Sequence, residues 1–235
     1  MTFSWRRVNA ILIKDYKDFS RNFAVSTVLF LSPILAAFYG RMGIDSIEAH
    51  YMIFNMALVM VASFVQCCLI AEEKEKNTLR GLMLSPATTA EILSGKSLLS
   101  FFFTIFVIVL SAFLLDYNPK NIGIVAVAII LSSLFYLGLG TLLGLYAKSV
   151  MEASVLVLPF MIIFSFGTFI TTLAEKYPIL KVAEYLPNVQ LLEIATNVEN
   201  NAGFADVLLN LVIITIWIIV ISALTVIVFR KRMVD

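Results

Sequence analysis

Six apolar runs, each long enough to cross a lipid bilayer, dominate this 235-residue chain and leave it few folds to choose from. A spanning helix needs about 20 residues of low polarity. The runs lie near Phe23–Tyr39, Tyr51–Ala71, Leu98–Leu115, Ile122–Ala147, Ala153–Leu173 and Val207–Phe229. Sixty per cent of the residues are hydrophobic and 14% are charged, whereas soluble domains carry about 25% charged residues. The solvent for such a chain is lipid, and the expected fold class is all-α: a polytopic membrane protein. Pro33 in the first run predicts a kink, and Gly138, Gly140 and Gly144 at the end of the fourth predict close helix packing.

Lysine and arginine give the orientation, because loops that stay in the cytoplasm are enriched in them. The N-terminal segment, the loops after runs two and four, and the tail hold thirteen (Arg6, Arg7, Lys14, Lys17, Arg21, Lys74, Lys76, Arg80, Lys96, Lys148, Arg230, Lys231, Arg232). The opposite loops hold Arg41, Lys120, Lys176 and Lys181. Both termini are therefore expected in the cytoplasm, in the cell membrane. Residues 1–22 carry seven charges and no continuous apolar core, so no cleavable signal peptide is expected. They divide instead into two faces. Trp5, Val8, Leu12, Tyr16, Phe19 and Phe23 fall within an arc of about 80° on a helix, with Arg6, Arg7, Lys14, Lys17, Asp18 and Arg21 opposite. That pattern predicts an amphipathic helix lying on the membrane surface, either as a plain anchor or as a lever touching a cytoplasmic partner.

Gly95-Lys96-Ser97 looks like the end of a phosphate-binding loop. Such a loop needs G-x-x-x-x-G-K-[ST], with two glycines that let backbone N–H groups turn toward the phosphates. Ala90 stands where the first glycine belongs, and the triplet leads into an apolar run rather than a soluble helix. ATP binding by this chain is rejected. Net charge is +1, which offers nothing to nucleic acid. Cys67 and Cys68 are adjacent, which suits neither a disulfide nor a zinc site, and no other metal or catalytic constellation occurs. His50 is an interfacial polar residue at a span boundary.

The triplet belongs to residues 72–97, EEKEKNTLRGLMLSPATTAEILSGKS, between runs two and three. Glu72 to Leu84 reads as a short helix stopped by Ser85-Pro86. Thr88-Thr89-Ala90-Glu91 has capping-box spacing and should start the next helix. Two helices joined by a sharp break form a rigid knob on the membrane surface. Here the chain resembles the ABC-2 type transporter permeases. Glu73-Lys74-Glu75-Lys76-Asn77-Thr78-Leu79, Leu82, Leu84-Ser85-Pro86, Glu91-Ile92-Leu93 and Gly95-Lys96 look like that family's signature loop. Asn77 stands where the family usually has glycine, and both residues tolerate left-handed backbone.

The resemblance implies an exporter subunit with residues 1–22 as interfacial helix, 23–229 as six-span domain and 230–235 as tail. It implies a second permease copy or paralogue and a separate ATPase carrying ATP and magnesium. The coupling residues would be Glu72, Glu73, Glu75, Asn77, Thr78, Leu79, Arg80 and Leu82, with Gly95-Lys96 as a hinge. Glu75 would meet the ATPase, while Glu91 would chiefly cap a helix.

Residues 174–206 are too apolar for a free outer loop, with Ile179, Leu180, Val182, Tyr185 and Leu186 before Pro187 and Val189, Leu191, Leu192 and Ile194 after it. Two short helices broken at Pro187-Asn188 fit, and backbone of that kind at membrane depth must be packed in protein. The resemblance implies that they are re-entrant and form an outer gate. No run carries a charge near its centre, so ion-coupled transport has no evident carrier. The family's dimer axis would be lined by spans two and five, making Asn55, Met56, Met60, Gln66, Phe160, Met161 and Phe164 the expected pathway. Polarizable Met and Phe surfaces suit a hydrophobic or amphipathic substrate such as a lipid-like molecule, drug or peptide. Two other readings compete: an integral-membrane enzyme, for which no H-E-x-x-H or G-x-S-x-G is present, and an immunity or sensor protein that binds a toxin peptide without moving it. Topology is checked by Arg80→Cys in a chain without Cys67 and Cys68: a membrane-impermeant thiol reagent should label it only from the cytoplasmic side.

Overall fold

The computed structural model describes residues 3–78, 81, 84–167 and 178–232, and every regular element among them is helical. Helix α1 covers Trp5–Arg21. Four long apolar helices follow in the first two thirds of the chain: α2 (Phe23–Met42), α3 (Ile47–Glu75), α4 (Thr89–Leu114) and α5 (Ile122–Tyr146). Then come α6 (Val150–Ser165), a 3-10 stretch at Pro178–Tyr185, α7 (Pro187–Glu199) and α8 (Leu208–Arg232).

Among the described residues, five helices are long and apolar enough to cross a bilayer: α2, α3, α4, α5 and α8. The predicted run Ala153–Leu173 gives the 16-residue α6, which is too short by that measure, and its expected continuation lies outside the described residues. Pro33 acts where its chemistry says it should. Lacking an N–H and crowding the carbonyl four residues back, it disturbs the turn before it, and α2 tightens to 3-10 geometry at Thr27–Phe30.

Helix α3 is the central pillar. It is mostly buried, with a π-helical stretch at Leu58–Val65 in its middle. Cys67 and Cys68 sit in this interior as free thiols. Its partly open residues Met52, Met56, Met60 and Phe64 recur every fourth position and leave one stripe uncovered. Helix α5 packs against it through glycine. A Cβ on Gly140 would meet the Ser63 carbonyl oxygen at 2.3 Å, and one on Gly144 would meet Ile70 and the Cys67 carbonyl under 3 Å. Ser63 Oγ donates to the Tyr136 carbonyl (2.8 Å) across the same seam. Gly138 faces the other way, toward Ile221 of α8.

At the α1 end a small separate core of Ile11, Ile70, Ile92, Leu145 and Phe229 joins α1, α3, α4, α5 and α8. Helix α1 itself departs from the expected division. Val8, Ile11, Asp15 and Phe19 face the bundle, while Trp5 and Tyr16 of the predicted apolar stripe are 70% and 55% exposed. The helix thus has a protein face and a separate aromatic edge, because it docks on α4. Gly140→Ala should push α3 and α5 apart at a backbone contact and destabilise by about 1–3 kcal/mol. Gly123→Ala, where nothing closer than 3.4 Å would be met, should be near neutral. Thermal unfolding in detergent separates the two.

Candidate functional site

The stretch between α3 and α4 is held from below by ion pairs. Helix α3 ends at Glu75, and the chain turns at Lys76 and Asn77, whose φ of +54° is left-handed. The expected helix Glu72–Leu84 is therefore interrupted at this turn, and Leu79, Arg80 and Leu82 lie outside the described residues. Asparagine is among the few side-chain-bearing residues that accept this geometry readily. Thr78 reaches back, donating from Oγ1 to Glu73 Oε2 (2.6 Å). Beyond the turn, Gly81 is open and Leu84 is 81% exposed. Helix α4 then starts with a capping box, in which Thr88 Oγ1 accepts from Glu91 N and Glu91 Oε2 accepts from Thr88 N (2.7 Å).

Beneath the turn sits Lys96, without exposed surface. Its Nζ donates to Asp15 Oδ1 (3.1 Å) and Oδ2 (3.3 Å) of α1 and to Glu73 Oε1 (3.1 Å) of α3. Glu73 Oε1 also accepts from Lys14 Nζ. At the rim Lys76 pairs with Glu72 (2.6 Å). Asp15, Asp18 and Glu73 could converge on a metal ion by distance alone, but Lys96 and Lys14 already meet their charges. Burial pushes the Asp15 carboxyl up to about 6, with Lys96 pulling it down. Gly95 serves the same junction: a Cβ there would meet Ile11 at 3.0 Å and the Val8 carbonyl at 3.2 Å. Gly95 and Lys96 are thus not a hinge. They lie inside the continuous helix α4, the glycine admitting α1 and the lysine clamping it.

Glu91 does more than cap. Its Oε1 accepts from the Ser4 backbone N–H (2.5 Å) and from Arg7 Nη2 (2.7 Å), fixing the start of α1. Two further acidic residues, both of the expected coupling set, are tied to other helices. Glu73 is buried in the ion cluster, and Glu75, though exposed, accepts from the Val150 N–H at the start of α6 (3.0 Å). Its neighbour Lys74 donates to the Leu145 carbonyl (2.6 Å) and to the Ala147 carbonyl at the end of α5. A cation at a helix C-terminus and an anion at an N-terminus are each favourable, so this pair stitches the α5–α6 loop to the end of α3.

The expected pathway and gate residues divide as well. Gln66 is fully buried, and its amide donates to Thr141 Oγ1 (3.0 Å) and Ser97 Oγ (3.4 Å) while accepting from Ser100 Oγ (2.9 Å). Phe164 is packed edge-on against Phe135 and Tyr136, with ring centroids 5.7 and 5.4 Å away. Both residues are packing groups. Met56, Met60, Phe160 and Met161 are partly open. Asn55 and Asn188 meet: Asn55 Nδ2 donates to the Asn188 carbonyl (3.4 Å), and Asn188 Nδ2 donates to the Phe164 carbonyl (3.0 Å). Pro187 opens α7 at its first turn, where its missing N–H is harmless. Gly167 lies so close that a Cβ there would overlap Asn188 Nδ2 at 1.8 Å. Helices α3 and α7 and the end of α6 therefore join at one polar junction. Asp15, Lys96 and Arg7 went unassigned as partners in the sequence, although Asp15 lies on the Val8–Ile11–Phe19 line and is conspicuous there.

A bundle of long apolar helices with a clamped, charged crossover at one end is the architecture of a polytopic membrane protein. The pattern of the family described as "ABC-2 family transporter protein" matches residues 19–227, and the chain belongs to that family: it is a permease-type transmembrane subunit of an ABC transporter. No curated protein matches the chain.

Lys96→Met should leave two buried carboxylates short of their cation, a change that costs about 3–5 kcal/mol when a buried pair is broken from one side. Adding Asp15→Leu should recover much of that loss. Because the folded carboxyl of Asp15 titrates above its ordinary value, the folded state holds the proton more tightly. Its stabilising contribution is present in acid and declines as pH rises from about 4 to about 6. Relative to Asp15→Asn, the wild-type chain should lose melting temperature over that window.

Proposed function

We propose that the chain is the transmembrane half of an ATP-driven exporter, working as a pair of permeases over separate ATPase subunits that bind ATP and magnesium. In this reading the chain crosses the plasma membrane six times, α6 being the start of the fifth crossing, with both termini and residues 72–97 in the cytoplasm. The observation that carries it is the mounting of the α3–α4 crossover. Leu84 and Gly81 project outward, while the Lys96–Asp15–Glu73 cluster and the Glu91–Arg7 pair tie the base of the crossover to α1 and α4. A force applied at the crossover passes into three helices together instead of being absorbed by a slack loop. Lys74 and Glu75 extend it to α5 and α6.

The substrate surface in this reading is the open stripe of α3 with Phe160 and Met161 of α6, apolar and conformationally adaptable, which suits hydrophobic or amphipathic cargo. The outer gate is α7, held by Asn55 and Asn188. The anchor for the ATPase is Leu84 rather than the internally engaged Glu73 and Glu75. Leu84→Asp should therefore abolish co-purification of a cognate ABC ATPase subunit and its turnover in lipid, with melting temperature unchanged because the side chain touches little of its own fold. A Leu84→Asp chain that keeps its ATPase and transports normally would overturn the coupling assignment.

A further inference from the structure

A recess of about 300 Å³ opens between α4, α5 and α8 in the half of the bundle nearest α1. That is the lower end of the range for ligand pockets. Leu93, Leu137 and Val226 make it apolar, but Ser97, Thr141 and Ser222 put hydroxyls on its wall. Ser97 Oγ accepts from Gln66 Nε2 and keeps its own proton to give. Ser222 is exposed, and an unsatisfied hydroxyl facing hydrocarbon is unfavourable.

The depth of these groups is informative. The three helices have 25 or 26 residues, about 38 Å, against a hydrocarbon core of about 30 Å. Ser97 and Thr141 lie about 8–12 Å from the α1-side ends of their helices, just below the headgroup zone. Ser222, Val226 and Arg230 follow one another at four-residue intervals on α8, so the stripe that walls the recess continues to an arginine at the membrane surface. Arg230 and Lys231 are exposed there, and the nearby Glu91 has its charge met by Arg7.

We propose that this recess holds one anionic phospholipid, with an acyl chain in the apolar part, ester oxygens accepting from Ser97 and Ser222, and the phosphate at Arg230. A second recess of about 290 Å³ on the opposite half, bounded by Phe54, Ile108, Tyr117 and Ile129, has an almost wholly apolar wall and offers little to favour one headgroup over another. The proposal stands on the bundle in its membrane and does not depend on transport.

Native mass spectrometry of the full chain, released from nanodiscs with equal phosphatidylglycerol and phosphatidylcholine, tests it. One phosphatidylglycerol should be retained in preference to phosphatidylcholine. Arg230→Gln should cut that preference about fivefold, the effect of one basic residue at an anionic surface, and Arg230→Lys should restore it. Ser222→Phe should fill the recess and remove the adduct. Both positions are exposed, so unchanged melting temperatures are expected. Equal retention of the two lipids, or a preference that survives both Arg230→Gln and Ser222→Phe, overturns the proposal.

Discussion

A lysine ammonium with no exposed surface has to have its charge met by fixed groups, and much of the α1 end depends on how Lys96 achieves this. Asp15 and Glu73 come from two other helices, so the pairing can form only when α1, α3 and α4 are all in place. Buried ion pairs add little stability over apolar packing, but breaking one is costly. The cluster therefore acts less as glue than as a register mark, tolerating one arrangement of the three helices. Gly95 beside it lets the helices approach closely enough for the pairing to occur.

From that clamp the logic runs outward along the chain. Glu91 caps α4 and at the same time holds the first turn of α1 through Arg7 and the Ser4 amide. Lys74 and Glu75 at the end of α3 satisfy the termini of α5 and α6. Glu73, Lys74, Glu75, Glu91 and Lys96 thus each have a partner on a different helix, and the apolar Leu84 faces outward. In the proposed reading, where a separate ATPase drives the chain, this combination supplies a rigid base and a free contact.

The far end is built on different physics. Asn55, Asn188 and Gly167 meet where charge would be difficult to accommodate, and amides supply the directionality instead. Asn55 Oδ1 and Asn188 Oδ1 are buried without a partner. An acceptor left unsatisfied costs about 1–3 kcal/mol, so this junction is held less firmly than the ion cluster. In the proposed exporter, an outer gate at this junction would be well served by that contrast.

The sequence by itself determined five of the long apolar helices, the capping box at Thr88–Glu91, the glycine-mediated approach of α5 and the family, because each depends on residues close together along the chain or on composition at membrane length. The left-handed turn at Asn77 was missed, because Glu72–Leu84 reads as one helix even though asparagine tolerates that backbone. The direction in which each charge points was not legible either. Glu73 and Glu75 read as residues turned toward an ATPase, and Lys96 as part of a hinge, because their partners lie 23 to 81 residues away and on other helices. The aromatic stripe of α1 was visible, but its docking on α4 turned half of that stripe outward. Gln66 and Phe164 were grouped with the pathway by their chemistry and position in a span. Only packing decided that their surfaces were already occupied. Helical periodicity fixes which residues share a face. What that face meets is set by neighbours brought together by the fold, and the Lys96 cluster exists only there.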